Sequence, residues 1–193
     1  MKLTVAATLL AQTLVISAAS AQTPEPAWIV EARSVSMSVP PKLLAVLQNE
    51  IARGGPDGAI AACRDRAPEL ARAASAQSGW AVKRVSLRNR NPKAVPDAWE
   101  RAALEDFDRR AAALAPAATL ERAEVVQKDG KPVQRYIRAL PTQPLCTACH
   151  GAPDTLSPAV QARLRELYPD DRATGYKVGD IRGARTLERA APL

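Results

Sequence analysis

The chain has 193 residues, 27 Lys and Arg against 20 Asp and Glu, a formal net charge of +7 and a single histidine. Its basic residues, among them Arg53, Arg64, Arg84, Arg109, Arg138, Arg163 and Arg185, form no dense run and have no stacking aromatics between them, which reads as solvated surface and excludes a nucleic-acid groove. Three Trp, three Tyr, one Phe and two Met leave few large core builders, a deficit that a buried flat cofactor or an alanine-rich core could make good.

Lys2 precedes an apolar stretch from Leu3 to Ile16, and the small-residue run Ser17 to Ala21 follows. This order reads as a secretory signal peptide with an Ala19-x-Ala21 cleavage site before Gln22, and the stretch is shorter than the ~20 residues that span a bilayer. The expectation is an exported, periplasmic protein, with residues 1–21 removed, a linker over 22–29, one domain over 30–186 and a tail over 187–193. No later segment is long and apolar enough to span, so no transmembrane segment is expected once the signal is cleaved.

Pro40-Pro41 open an amphipathic helix with Leu43, Leu44, Leu47 and Ile51 on one face, closed by Gly54-Gly55. Asp57 can cap a second helix through Ile60, Cys63 and Leu70 toward Gly79, with Pro68 as a kink or break; Ala59, Cys63 and Ala67 share a face of it. From Trp80 to Leu87 the alternation predicts a strand, and Asn89 to Pro96 a loop. Asp97 is a good N-cap for a helix through Trp99, Leu104 and Phe107 that ends near Pro116. Strands at Glu121–Gln127 and Val133–Leu140 flank Asp129-Gly130, a strong hairpin signal. Pro141 to Pro144 then deliver the chain to Cys146, Ser157 caps a helix over Pro158–Leu167, and the glycine-punctuated tail from Gly175 suits a final strand. This order predicts an α+β domain with an antiparallel sheet, flanking helices and a cysteine-bearing loop in the C-terminal half. The late position of that loop also suits a four-helix bundle, which the hairpin and the strand near Val82 oppose.

That loop is defined by Cys146-Thr147-Ala148-Cys149-His150, a C-x-x-C-H motif. In such a motif each thiol adds to a haem vinyl group and the histidine binds iron from the proximal side, so the implied cofactor is one covalent haem c with its iron. A thioredoxin-like dithiol and a zinc site are the competing readings; the zinc site lacks a convincing fourth ligand. His150 is the only histidine, so the sixth ligand cannot be a second one from this chain. Cys63, the odd cysteine, could hold ferric iron as thiolate or could be a buried structural thiol. Met37, or a water or vacant position, are the alternatives.

The chain resembles a bacterial family of c-type haem domains of unknown function with a PAS-like fold and His/Cys axial ligation. The resemblance is carried by Ala59 to Cys63 with Ala67-Pro68, Val85 to Asn89 with Asn91-Pro92, Cys146 to Gly151, and Gly175 to Ala184. It implies a PAS-like domain, Cys146 and Cys149 as the thioether cysteines, His150 as the proximal ligand and Cys63 as the distal one.

Three functions follow as expectations: a redox or small-ligand sensor in which a diatomic gas or a change of oxidation state displaces Cys63, a low-potential electron-transfer cytochrome, and a haem enzyme. Thiolate donation stabilises ferric iron, which favours sensing over ordinary electron transfer. The lack of a second histidine for distal acid–base work disfavours the enzyme. A sensor without an output domain needs a separate signalling or redox partner, which the sequence does not identify.

Overall fold

A computed structural model describes residues 24–192. The stretch read as a signal peptide, with its expected cleavage site, lies outside the described residues. Four antiparallel strands, β1 (Ala81–Val85), β2 (Glu121–Lys128), β3 (Lys131–Pro141) and β4 (Ile181–Ala190), form one sheet in the order β1-β4-β3-β2. Around it lie α1 (Ala27–Ser78), α2 (Ala98–Ala112), a single turn α3 (Thr147–His150) and α4 (Pro158–Leu167). This is the α+β architecture expected, and it is compatible with a PAS-like fold.

The first helix begins at Ala27, well before Pro40 and inside the segment read as a linker. Its apolar stripe explains the difference: Ala32, Ser36 and Val39 recur at helical spacing and are all buried. Pro40, Pro41 and Pro68 all remain inside α1, each at an intrinsic cost of roughly 3 kcal/mol that tertiary packing of the helix has to offset. The real break is at Gly54-Gly55, where Gly55 takes φ 73° and Pro56 restarts the helix. α1 therefore has two halves, both touching the sheet: the first through Ala32 and Val39, the second, which carries Cys63, through Ala74. It ends on Gly79, whose left-handed φ of 73° lets its N–H reach Ser75 O.

α2 covers the opposite sheet face through Ala103, Leu104 and Phe107, which pack on Val85, Ile137 and Ala184. It opens with a full capping box: Asp97 accepts from the Glu100 N–H while Glu100 accepts from the Asp97 N–H. The helix stops at Ala112, a turn short of Pro116. The β2–β3 hairpin turns on Asp129 and Gly130, both at positive φ as a two-residue primed turn requires. Gly175 to Asp180 is a turn rather than strand, and β4 begins only at Ile181 and runs past residue 186 because its pairing with β3 extends to Val133–Ala190. Among the described residues no helix is long and apolar enough to cross a membrane.

The sheet face beneath α1 carries two consecutive rows. Val82, Leu187 and Tyr136 are register partners across β1, β4 and β3, and pack with Ala32, Val39 and Ala74 of α1. Two residues along each strand, the partners are Arg84, Arg185 and Arg138, with Glu121 opposite Arg138 on β2. Two-residue periodicity keeps both rows on one face. The row corrects the sequence reading, since Arg185 is only 6% exposed and Arg84 and Arg138 are half-buried. A one-strand pattern does not reveal that three dispersed arginines line up across a sheet.

Candidate functional site

Pro144 to Cys146 form a short 3-10 turn that leads directly into α3, so Cys146, Cys149 and His150 lie on consecutive helical turns. Gly151 closes the unit, its N–H donating to Thr147 O at 2.9 Å. A Cβ at that position would stand 2.6 Å from Thr147 O, so glycine is required for the chain to turn away there. The second half of α1 packs against α3, bringing the Cys149 thiol to 3.7 Å from Pro56 O.

All three cysteines are free thiols. Burial pushes Cys149 up to about 11, opposed by Arg90 and reinforced by Cys63. Cys63 is likewise raised by burial, against the opposing charges of Arg182, Arg84 and Arg90, with Cys146 adding to the rise. These mutual influences place Cys63 of α1 in the same neighbourhood as the C-x-x-C-H turn, more than eighty residues away in sequence. Met37 does not share it: its side chain is 53% exposed and lies on the first half of α1, across the Gly54-Gly55 break.

The ring of His150 is fixed by its surroundings. Nδ1 donates to Ala173 O at 2.6 Å, which assigns the proton to Nδ1 and leaves the Nε2 lone pair free. Burial, with the Arg182 and Arg90 charges, holds the imidazole well below its ordinary value of 6.5 and therefore neutral. Arg182 Nη1 stands 3.4 Å from Nε2, and its Nη2 is 4.0 Å from Cys146 Sγ. Tyr176 meets the imidazole edge-on at 6.5 Å between ring centroids.

The segment that supplies Ala173 is itself pinned. Arg90 pairs with Asp171 at 2.9 Å, both side chains largely buried, and donates to Cys149 O at 2.6 Å. Asp171 accepts from the Ala173 N–H, Tyr176 N–H donates to His150 O, and Gly175 N–H to Gly151 O. Arg88 stacks on Tyr176 at 4.4 Å. The turn at Gly175 to Asp180 thus clips the C-x-x-C-H turn instead of extending the sheet. Arg90, Asp171 and Arg182 have no local signature: the Arg90–Asp171 pair spans 81 residues, and only the fold brings it together.

A neutral, backbone-oriented imidazole with an unprotonated Nε2, next to Cys149, one turn from Cys146 and in the neighbourhood of a third thiol on a separate helix, is a donor set that fits a haem. Buried polar atoms without partners, Nε of Arg182 and Nε and Nη1 of Arg185, line the same region and fit the acidic side of such a group. Fold and site together define an α+β haem-protein domain. The chain belongs to the Tll0287-like family, whose model matches residues 4–188. Among solved structures it is similar to the cyanobacterial haem protein Tll0287, at 25% identity and a TM-score of 0.65, covering 86% of this chain and 97% of that one. No curated protein matches the chain.

Proposed function

We propose that the protein is an exported monohaem c-type cytochrome that senses redox state or a small diatomic ligand. Cys146 and Cys149 each add S–H across a haem vinyl group, forming a C–S and a C–H bond; His150 binds iron through Nε2, and Cys63 is the distal ligand as thiolate. The bound haem supplies an iron whose preference for the distal thiolate depends on its oxidation state and on competing ligands. The observation that carries the reading is the His150 ring, whose Nδ1–H is committed to Ala173 O, so that Nε2 is the lone-pair nitrogen, met by Arg182 Nη1 at 3.4 Å.

The sensing role is supported by the construction of α1. Cys63 lies between the Gly54-Gly55 break and the Leu70 and Ala74 contacts that fasten the end of the same segment to the sheet, so a shift of Cys63 would be transmitted to the main core. The Cys63 half contacts α4 through Ile60, Leu156, Val160 and Leu164, which gives a displacement of Cys63 a packed path to the surface. The test is direct: protein matured with haem is denatured and extracted with acid acetone. The colour stays with the polypeptide if the thioethers form, and haem that leaves with the solvent sinks the assignment.

A further inference from the structure

The arginine row raises a question that haem attachment and axial ligation do not answer. Three cations, Arg84, Arg182 and Arg185, converge beneath the second half of α1, and among the described residues no carboxylate lies within ion-pair distance of any of them. Arg138, at the far end of the same row, differs: it pairs with Glu121, which also accepts from Arg33 and Tyr136. Arg185 is 6% exposed and its Nε and Nη1 have no partner; Arg182 Nε is likewise unpartnered. Buried guanidinium groups left unpaired cost several kcal/mol each, so a stable fold is expected to provide them with anions.

We propose that Arg84, Arg182 and Arg185 form a built receptor for the two propionate carboxylates of the haem. The inference rests on the haem-binding reading and adds the group that recognises the acidic edge of the cofactor. Continuity within the patch supports it: Arg84 Nη2 donates to Arg182 O at 3.2 Å, and Arg84 and Arg185 are register partners. The guanidinium of Arg182 now stands by Cys146 and His150, on the side of the thioethers, and would have to swing away from them to reach a propionate, which a haem carries on the edge opposite its vinyl groups. The sign of the charge agrees: three guanidinium groups would more than balance two propionate carboxylates. Electrostatics agree as well. Burial, and the charges of Arg182 and Arg185, hold Arg84 well below its ordinary value, and burial pushes Arg185 down to about 10. Arg182 has to leave Nε2 when a metal takes that nitrogen, and a carboxylate beside Arg185 offers it a partner. Planar, forked guanidinium groups recognise carboxylates bidentately, which a lysine cannot reproduce.

The experiment uses haem-loaded protein and reads resonance Raman propionate-bending bands together with reduction potential. Wild type is compared with Arg185→Met, Arg84→Met and Arg185→Lys, and with Arg138→Met as the paired control. The expected result is a shifted bending band and a lower potential in Arg185→Met and Arg84→Met, partial recovery in Arg185→Lys, and an unchanged band in Arg138→Met. Coloured Arg185→Met and Arg84→Met proteins whose bands and potentials match wild type overturn the receptor while leaving the haem reading intact. Wild type that carries no haem overturns both. Inorganic phosphate that raises the melting temperature of loaded wild type but not of loaded Arg185→Met marks the arginines as an open site for free anions, and also overturns the proposal.

Discussion

One face of one sheet carries two rows built on opposite logic. Val82, Leu187 and Tyr136 are buried among apolar partners from both halves of α1. One row further along the same strands stand Arg84, Arg185 and Arg138, of which Arg84 and Arg185 carry buried positive charge. The first row is complete within the protein and stabilises the fold by removing apolar area from water. The second is complete only at Arg138, where Glu121 answers it. A sheet can thus hand over from apolar core to a row of charge within two residues.

Breaking the apolar row is expected to have the largest effect on stability. Leu187 is fully buried, and Leu187→Ala should cost about 2–5 kcal/mol, measured by denaturant unfolding. Arg185→Met, in the neighbouring row, should cost much less in haem-free protein because it removes a buried charge that has no partner. Equal losses in the two variants would erase the distinction between the rows.

Glu121 sharpens the contrast, because it is the one carboxylate that answers the arginine row. Burial raises its carboxyl, but hydrogen bonds from Arg33 and Tyr136 and the charges of Arg33 and Arg138 outweigh that and hold it below the ordinary 4.5. A depressed carboxyl contributes stability that is fully present above 4.5 and is lost as pH falls through the lower, folded value. Glu121→Gln should therefore lower stability at neutral pH by about 1–3 kcal/mol and flatten the acid limb of a melting-temperature profile below 4.5. A variant with the wild-type acid limb would remove Glu121 from the account.

Gly183 lies on β4 one step beyond the arginine row, where the β3–β4 register shifts between Ala139 and Pro141. Its φ is 140°, and a Cβ there would lie 2.4 Å from Val85 O. Gly183→Ala should cost about 1–3 kcal/mol through backbone strain and shift Arg182 relative to His150, which the unfolding curve and the haem spectrum would report separately.

Local signals made much of this molecule legible before any coordinates. Asp97, Asp129-Gly130 and Ser157 act within a few residues of themselves, and the helix, hairpin and helix they start are where those signals put them. The C-x-x-C-H turn is likewise a local motif. What was not legible depended on distant partners. Pro40-Pro41 looked like a helix start because intrinsic propensity disfavours proline inside a helix, a cost that tertiary packing of α1, with its buried stripe through Ala32 and Val39, has to offset. The glycines from Gly175 suited a strand, yet the backbone there is committed to His150, Gly151 and Thr142. Arg84 and Arg185 looked like solvated surface because their alignment exists only in strand register.

Cys63 carries the central claim, and its replacement is expected to have the smallest effect on the fold, since it stands on an alanine-lined helix face at partial exposure. Its spectroscopic effect should be large. The decisive measurement is paramagnetic resonance, with absorption spectra, of ferric haem-loaded wild type and Cys63→Ala. Low-spin, thiolate-ligated iron is expected in wild type, giving way in the variant to five-coordinate or water-bound high-spin iron with covalent attachment intact. The same low-spin spectrum from both proteins would contradict distal ligation by Cys63.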